Sequence, residues 1–215
     1  MTHSEENYLK TIYHLTTTSA AEISTSAIAE KIETKASSVT DMLKKLAEKE
    51  LVNYKKYQGV SLTEKGKLTA KMIVRKHRLW ETFLVEKLNF SWDEVHDVAE
   101  QLEHIKSEKL INKLDEFLNF PTEDPHGDPI PNAEGQIANV KKQLLSEFEI
   151  NQTGICVGVK DTSSEFLKYL DKQEIALGSE IEIIEQELFD SSFTIRVGNK
   201  EMTISNKIAS NLYIK

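Results

Sequence analysis

Residues 24–63, STSAIAEKIETKASSVTDMLKKLAEKELVNYKKYQGVSLT, decide the fold. Ile28, Ala29 and Ile32 recur at helical spacing after Ser24 and Thr25, which are polar residues suited to opening a short helix. Glu33-Thr34-Lys35 then makes a three-residue turn. Val39, Met42, Leu43 and Leu46 give the next segment, about Ala36 to Glu48, a single apolar stripe. Two alternating segments, Val52–Lys55 and Val60–Thr63, joined through Tyr57-Gln58-Gly59, predict a hairpin. Helix, turn, helix and basic hairpin together predict a winged helix-turn-helix. Its groove-reading helix leaves Ser37, Ser38, Thr40, Asp41, Lys44 and Lys45 facing outward. Small polar groups let a backbone approach base edges, and lysines neutralise phosphates. With Lys35 before that helix and Lys55, Lys56 and Tyr57 on the wing, these are the candidate DNA contacts.

The charge distribution agrees with that reading. The whole chain carries −8, but Lys31 to Lys76 holds 12 Lys or Arg against 5 Asp or Glu. A basic block in an acidic chain is an electrostatic footprint for phosphates. The single cysteine, Cys156, excludes an internal disulfide framework. The start, Thr2-His3-Ser4-Glu5-Glu6, has no basic head or apolar run, and no stretch approaches the length of a membrane span. A soluble cytoplasmic chain with no membrane partner is expected.

A first helix is predicted from about Ser4 to Thr16, with Ser4 as its cap and Tyr8, Leu9, Ile12, Tyr13 and Leu15 as its stripe. Glu64-Lys65-Gly66 opens a long helix, Ser91 and Glu94 have capping-box spacing before another through Ile105, and a third runs from about Ser107 to Leu118. These helices carry more apolar surface than one subunit needs, so a homodimer is expected. All four prolines fall in residues 120–135, a turn or linker. A polar helical connector is expected next. Gly154–Val159, Glu180–Ile184, Phe193–Val197 and Glu201–Ile204 read as strands, with Glu165–Leu170 as a helix, which fits a small β-barrel. The expected class is mainly α with a small β C-terminal domain: a winged helix-turn-helix over 1–73, a helical dimerisation and metal-binding domain over 74–140, and connector plus barrel over 141–215.

Potential metal ligands gather directly after the DNA-binding segment. His77 and Glu81 are four apart on the long helix. On the next helix His96, Glu100, Glu103 and His104 are expected to fall within an arc of roughly 100°, so that one face offers two imidazoles and two carboxylates. A nitrogen and oxygen set without thiolate suits Mn, Fe or Zn.

At this point the chain resembles the diphtheria toxin repressor family of metal-dependent regulators, in its manganese branch. Glu6-Asn7-Tyr8-Leu9-Lys10-Thr11-Ile12-Tyr13 matches the family's first helix, Ala36-Ser37-Ser38-Val39-Thr40 its recognition helix, and Leu62-Thr63-Glu64-Lys65-Gly66 the exit from its wing. Val95-His96-Asp97 through Glu103-His104 matches the metal helix, and Pro125-His126-Gly127 with Ile130-Pro131 the turn behind it. Gly154 onward resembles the FeoA-like small barrel of longer members. The resemblance implies a homodimeric repressor that binds palindromic operator DNA when loaded, controls metal-uptake genes and has two metal sites per subunit. His77, Glu81 and His96, completed by Asp124 or Asp161, would form an ancillary site. Asn7, Glu100, Glu103 and His104 would form the regulatory one. Iron-type members place methionine and cysteine where Asn7 and Glu100 stand, and manganese-type members place carboxylates; Glu100 follows the manganese pattern and Asn7 neither. Mn(II) is therefore expected ahead of Fe(II).

Two other classes compete. Clustered carboxylates and histidines can hold a di-metal oxidase centre, but the chain lacks a repeated helical Glu-x-x-His and any His-Glu-x-x-His, so no enzyme and no small-molecule substrate is expected. A winged-helix repressor gated by a non-metal effector would bind DNA regardless of chelator.

Overall fold

The computed structural model describes residues 1–215 except 19–21, 56–57 and 139–140. It forms two compact units. The first comprises Met1–His77, Glu100–Lys113 and Pro131–Gln136, the second Arg78–Ala99, Leu114–Ile130 and Ile137–Lys215.

The first unit is built on α1 (His3–Thr18), α2 (Thr25–Lys31), α3 (Ala36–Glu48), the hairpin β1 (Val52–Lys55) and β2 (Gly59–Leu62), and the start of α4 (Glu64–Leu88). Thr2 rather than Ser4 caps α1: its N–H donates to Glu5 Oε2 (3.0 Å) and its hydroxyl accepts from Glu5 N–H (3.3 Å). Ser24 caps α2 by accepting from Ala27 N–H. Glu33, in the left-handed region at φ 56°, breaks the chain out of α2, and Thr34 N–H returns to Ala29 O at 2.9 Å. On α3 the residues Val39, Leu43 and Leu46 are fully buried against Leu9, Ile12 and Ile28. Each such side chain contributes about 1.5–3 kcal/mol of burial.

The wing is an antiparallel pair with Val52 opposite Leu62 and Tyr54 opposite Val60. Thr63 joins it to α4, accepting from Gly66 N–H (2.9 Å) and donating to Glu50 O (2.7 Å). Gly66 packs on the Leu51 carbonyl so closely that a Cβ would lie 1.8 Å from its oxygen. Thr63→Ala is expected to cost about 1 kcal/mol, the typical loss of a cap, read from urea denaturation with and without DNA. An unchanged midpoint would show that the cap adds nothing.

The second unit contains the remainder of α4, the start of α5 (Val95–Leu102), the end of α6 (Glu108–Phe117) and the β domain. Its strands are β3 (Gln143–Leu144), β4 (Thr153–Val159), β5 (Glu180–Gln186), β6 (Phe193–Val197), β7 (Lys200–Ile204) and β8 (Leu212–Ile214), with α7 (Ser164–Gln173) and α8 (Asn206–Ala209) between them. They form one antiparallel sheet in the order β3-β8-β4-β5-β6-β7. Leu167, Leu170, Ile181, Ile183, Phe193, Ile195 and Leu212 make its core.

Two expectations are corrected. The connector is not helical among the described residues, because Gln143 and Leu144 pair with Ile214 and Tyr213 and a 3-10 turn, Leu145–Glu147, follows. α5 stops at Leu102, so the expected ligand arc is not one helical face: Glu103 and His104 lie in the turn beyond it. No helix among the described residues is long and apolar enough to cross a membrane.

Candidate metal-binding site and DNA-facing surface

The second unit brings Glu81, Asp124 and His126 together, all buried, with one candidate ligand atom from each within 4.8 Å of the others. Glu81 projects from α4. The other two come from the proline-rich turn, and backbone geometry holds them there. Asp124 Oδ1 accepts from the N–H groups of His126 (2.8 Å) and Asp128 (3.0 Å), so the turn folds around its own carboxylate. Val159 N–H of β4 donates to His126 O at 2.9 Å. Gly127, at φ 78°, lets that strand approach: a Cβ there would stand 2.0 Å from Val157 O.

The imidazole of His126 is oriented at both nitrogens. Its Nε2 is 2.8 Å from the Trp92 carbonyl, which can only accept, so Nε2 carries a proton. Nδ1 faces Glu81 Oε2 at 3.7 Å and Asp124 Oδ1 at 3.9 Å. Burial disfavours charge on this ring, but the hydrogen bond and charge of Glu81 and the charge of Asp124 push its pKa up to about 9. Burial, with the charges of Glu81 and Asp128 added, pushes Asp124 up to about 7 despite Arg78 and His126. Arg78 holds the turn from outside, with Nε 3.4 Å from Asp124 Oδ2, Nη2 3.1 Å from Asp128, and Nη1 donating to Pro129 O. Two buried carboxylates beside a directed imidazole nitrogen fit a divalent ion: the group concentrates negative charge and holds it with a proton when no metal is present.

His96 is half exposed, its Nδ1 3.5 Å from Glu81 Oε1. Asp161 lies apart from the three-residue group in its interactions: it is partly exposed and accepts from Ser163 N–H ahead of α7. Trp92 stacks on His126 and donates to Asp171 of α7, while Asp93 takes Ser164 and Lys168 from the same helix.

The first unit assembles a different cluster. Glu103 is fully buried and meets His77 Nδ1 at 2.7 Å and the Lys10 ammonium at 2.8 Å. Burial opposes its ionisation, yet His77 and Lys10 together hold its pKa below the usual carboxylate range. Lys10 also donates to Glu100 Oε1 at 3.1 Å. His104 Nδ1 is 2.6 Å from Glu6 and its ring stacks on His3, while Asn7 is exposed. Of the sequence-derived set Asn7, Glu100, Glu103 and His104, then, the two carboxylates converge on an ammonium, the imidazole pairs with Glu6, and the amide points elsewhere. As arranged, this set does not fit a metal.

Sequence reasoning misses His126, Glu6 and Lys10 as site residues. Glu6 and Lys10 are one helical turn apart on α1, and that spacing is the only available signal. His126 stands inside the Pro125-His126-Gly127 motif.

On the DNA-facing side Lys35, Ser37, Ser38, Asp41, Lys44, Lys45 and Lys55 are exposed. Thr40 is half-buried and donates to Ala36 O; Lys44 reaches Asp41 at 3.3 Å. Lys56 and Tyr57 lie outside the described residues.

A winged helix followed by a buried nitrogen and oxygen ligand group defines a metal-dependent DNA-binding regulator, and known proteins agree. Residues 1–60 match the iron dependent repressor N-terminal DNA binding domain, 63–132 the iron dependent repressor metal binding and dimerisation domain, and 143–215 the FeoA domain. A solved structure described as a manganese-dependent transcriptional repressor complex with manganese superposes with TM-score 0.87 at 34% identity, over 98% of both chains. The HTH-type transcriptional regulator MntR of Oceanobacillus iheyensis is 32% identical over 71% of this chain and 97% of its own length. The iron-dependent repressor IdeR of Mycobacterium bovis is 36% identical over 59% of this chain, a match spanning only 54% of that relative. The chain belongs to the diphtheria toxin repressor family of metal-dependent regulators, with a C-terminal FeoA domain.

Proposed function

We propose that the protein is a cytoplasmic homodimeric transcriptional repressor that binds palindromic operator DNA when loaded with Mn(II), Fe(II) being the alternative, and controls metal uptake. The observation that carries this is the buried group Glu81, Asp124 and His126 on the helix and turn that follow a basic winged helix. These three residues would hold the ion, with His96 beside Glu81 as a further donor. An oxygen-rich set favours the harder ion. When bound, the metal supplies a dication that two buried carboxylates can share.

The chain's own residues supply the rest. Arg78 and the Asp124 backbone bonds fix the turn, Trp92 O fixes the imidazole tautomer, and α4 leads without interruption from the wing to Glu81. In this reading Ser37, Ser38 and Thr40 would read base edges, and Lys44, Lys45 and Lys55 would contact phosphate. Exposed Leu88, Phe117 and Phe120 offer apolar surface for a second subunit.

The experiment is fluorescence anisotropy with a duplex from the promoter of the protein's own neighbouring genes, in Mn(II) or in excess chelator. Binding should require the metal; equal binding in chelator contradicts the proposal and favours a non-metal effector. Within the same assay Lys44→Ala or Lys55→Ala should weaken binding to all sequences alike and reduce the salt slope by about one for each phosphate no longer neutralised. Ser37→Ala should alter sequence preference and leave the slope intact. Interchanged behaviour would overturn the assignment of these roles.

A further inference from the structure

His126 is held at both ends by the β domain, directly at its backbone and indirectly at its ring. Its carbonyl accepts from Val159 N–H of β4, and its ring Nε2 lies 2.8 Å from the Trp92 carbonyl. An imidazole is rigid, so the bond at Nε2 sets the direction of Nδ1 toward Glu81 and Asp124. The Trp92 carbonyl belongs to no helix or strand. It stands in the turn between α4 and α5, beyond Asn89 at φ 56°, and its direction depends on what the side chains of that turn hold. Those side chains reach a single helix of the FeoA domain. The Trp92 indole Nε1 donates to Asp171 Oδ1 at 3.0 Å, and the residue packs against the core of the barrel. Asp93 accepts from the Ser164 hydroxyl at 3.2 Å and faces the Lys168 ammonium at 3.3 Å. Ser164, Lys168 and Asp171, at i, i+4 and i+7, share one face of α7.

We propose that α7 of the FeoA domain is a positioning element for the metal group. Through the turn at residues 91–93 it sets the direction of His126 Nδ1, so metal binding and the seating of α7 on that turn are linked. The helix acts through Trp92 and Asp93, and Trp92 is the positioning residue that touches both α7 and His126. Removing the hydrogen-bond partner of a metal-ligating imidazole costs about 10–100-fold in affinity. The contact of α7 lies one step behind that partner, so the lower end applies. Linkage is reciprocal: if α7 holds His126 for the metal, the metal must hold α7 against the turn. This rests on the reading of Glu81, Asp124 and His126 as the metal group, but needs no operator DNA for its test.

Mn(II) affinity of the full-length protein, measured by the EPR signal of the free ion, should fall about tenfold in Trp92→Phe and in Asp171→Ala. The double variant should lose little more than either single change, because both cut the same bond. Asp171→Asn keeps the accepting oxygen and should stay near wild type, as should Lys172→Ala at the exposed next position. Wild-type affinity in Asp171→Ala, or equal losses in Asp171→Asn and Asp171→Ala, overturns the proposal. Hydrogen exchange read by peptide mass spectrometry tests the reciprocal effect in the wild-type chain, where folding of a variant plays no part. Saturating Mn(II) should slow exchange in residues 164–173 as well as in residues 122–130. In Trp92→Phe, at Mn(II) that saturates this variant, the slowing at 122–130 should persist while that at 164–173 is at least about halved, the Asp93 tether remaining. A merely structural loss would change metal-free exchange in α7 without removing its response to the ion. Exchange in wild-type α7 that is identical with and without Mn(II) overturns the proposal. Mn(II) binding that depends on Glu81, with no response in α7, would contradict this inference alone. A responsive α7 beside operator binding that ignores metal would contradict only the repressor reading.

Discussion

Glu81→Gln is expected to lose the tight Mn(II) equivalent and to raise the Mn(II) concentration needed for operator binding by at least about 100-fold, beyond the usual cost of disturbing a ligand's supporting partner. Glu81 is 3% exposed and faces both the Nδ1 of His126 and, through Oε1, His96. Its charge also contributes to the upward shift of Asp124. Replacing it by an isosteric amide removes half of the buried carboxylate pair without opening a cavity. The metal-free fold should survive, because the substitution relieves repulsion toward Asp124 while weakening attraction to His126. Equilibrium dialysis with Mn(II), with circular dichroism as the folding control, checks this. His126→Ala should behave alike, since it removes the nitrogen donor of the same group. A folded Glu81→Gln variant that retains the wild-type Mn(II) midpoint removes the group from the site.

Glu103→Gln should act differently, lowering the stability of the metal-free protein by roughly 3 kcal/mol, the lower end of the range for breaking a buried ion pair. The lower end applies because Glu100 still accepts from Lys10 after the change. The remaining loss arises because an interior ammonium and the His77 imidazole then share a neutral partner. Urea denaturation in chelator measures it. A shift below about 0.5 kcal/mol, the size expected of an ordinary surface substitution, would show that the cluster is not held by charge.

The DNA-binding half was legible because its signals are local. Ser24 before an apolar repeat, a three-residue turn, and Val39, Leu43 and Leu46 on one stripe require no knowledge of distant residues. The strands of the meander were legible for the same reason. β8 was missed since Leu212–Ile214 is too short to show alternation, and β3 exists only because it pairs with β8. The connector's polar composition suggested helix, but that distant pairing decided otherwise.

The candidate metal residues divide along the same line. Glu81 is marked by helical spacing with His77, whereas His126 comes from a turn with no periodicity to mark its direction. The partners in the first-unit cluster are farther still: Lys10 and Glu103 are 93 positions apart, Glu6 and His104 98. The resemblance to a family suggested Asn7 at that place, and in the fold its neighbour Glu6 faces His104 while Asn7 is exposed. A one-residue difference on a helix turns a side chain by about 100°, enough to exchange an interior role for a solvent-facing one.

The central claim, that metal and operator bind as coupled ligands, carries a reciprocal consequence: whatever factor metal adds to DNA affinity, DNA must add to metal affinity. Mn(II) titrations of the full-length protein, by free-ion EPR, with and without a saturating operator duplex, measure that factor from the metal's side. Tighter Mn(II) binding in the presence of operator, by the same factor that Mn(II) adds to operator affinity, is the result predicted. Identical Mn(II) isotherms with and without operator would contradict it.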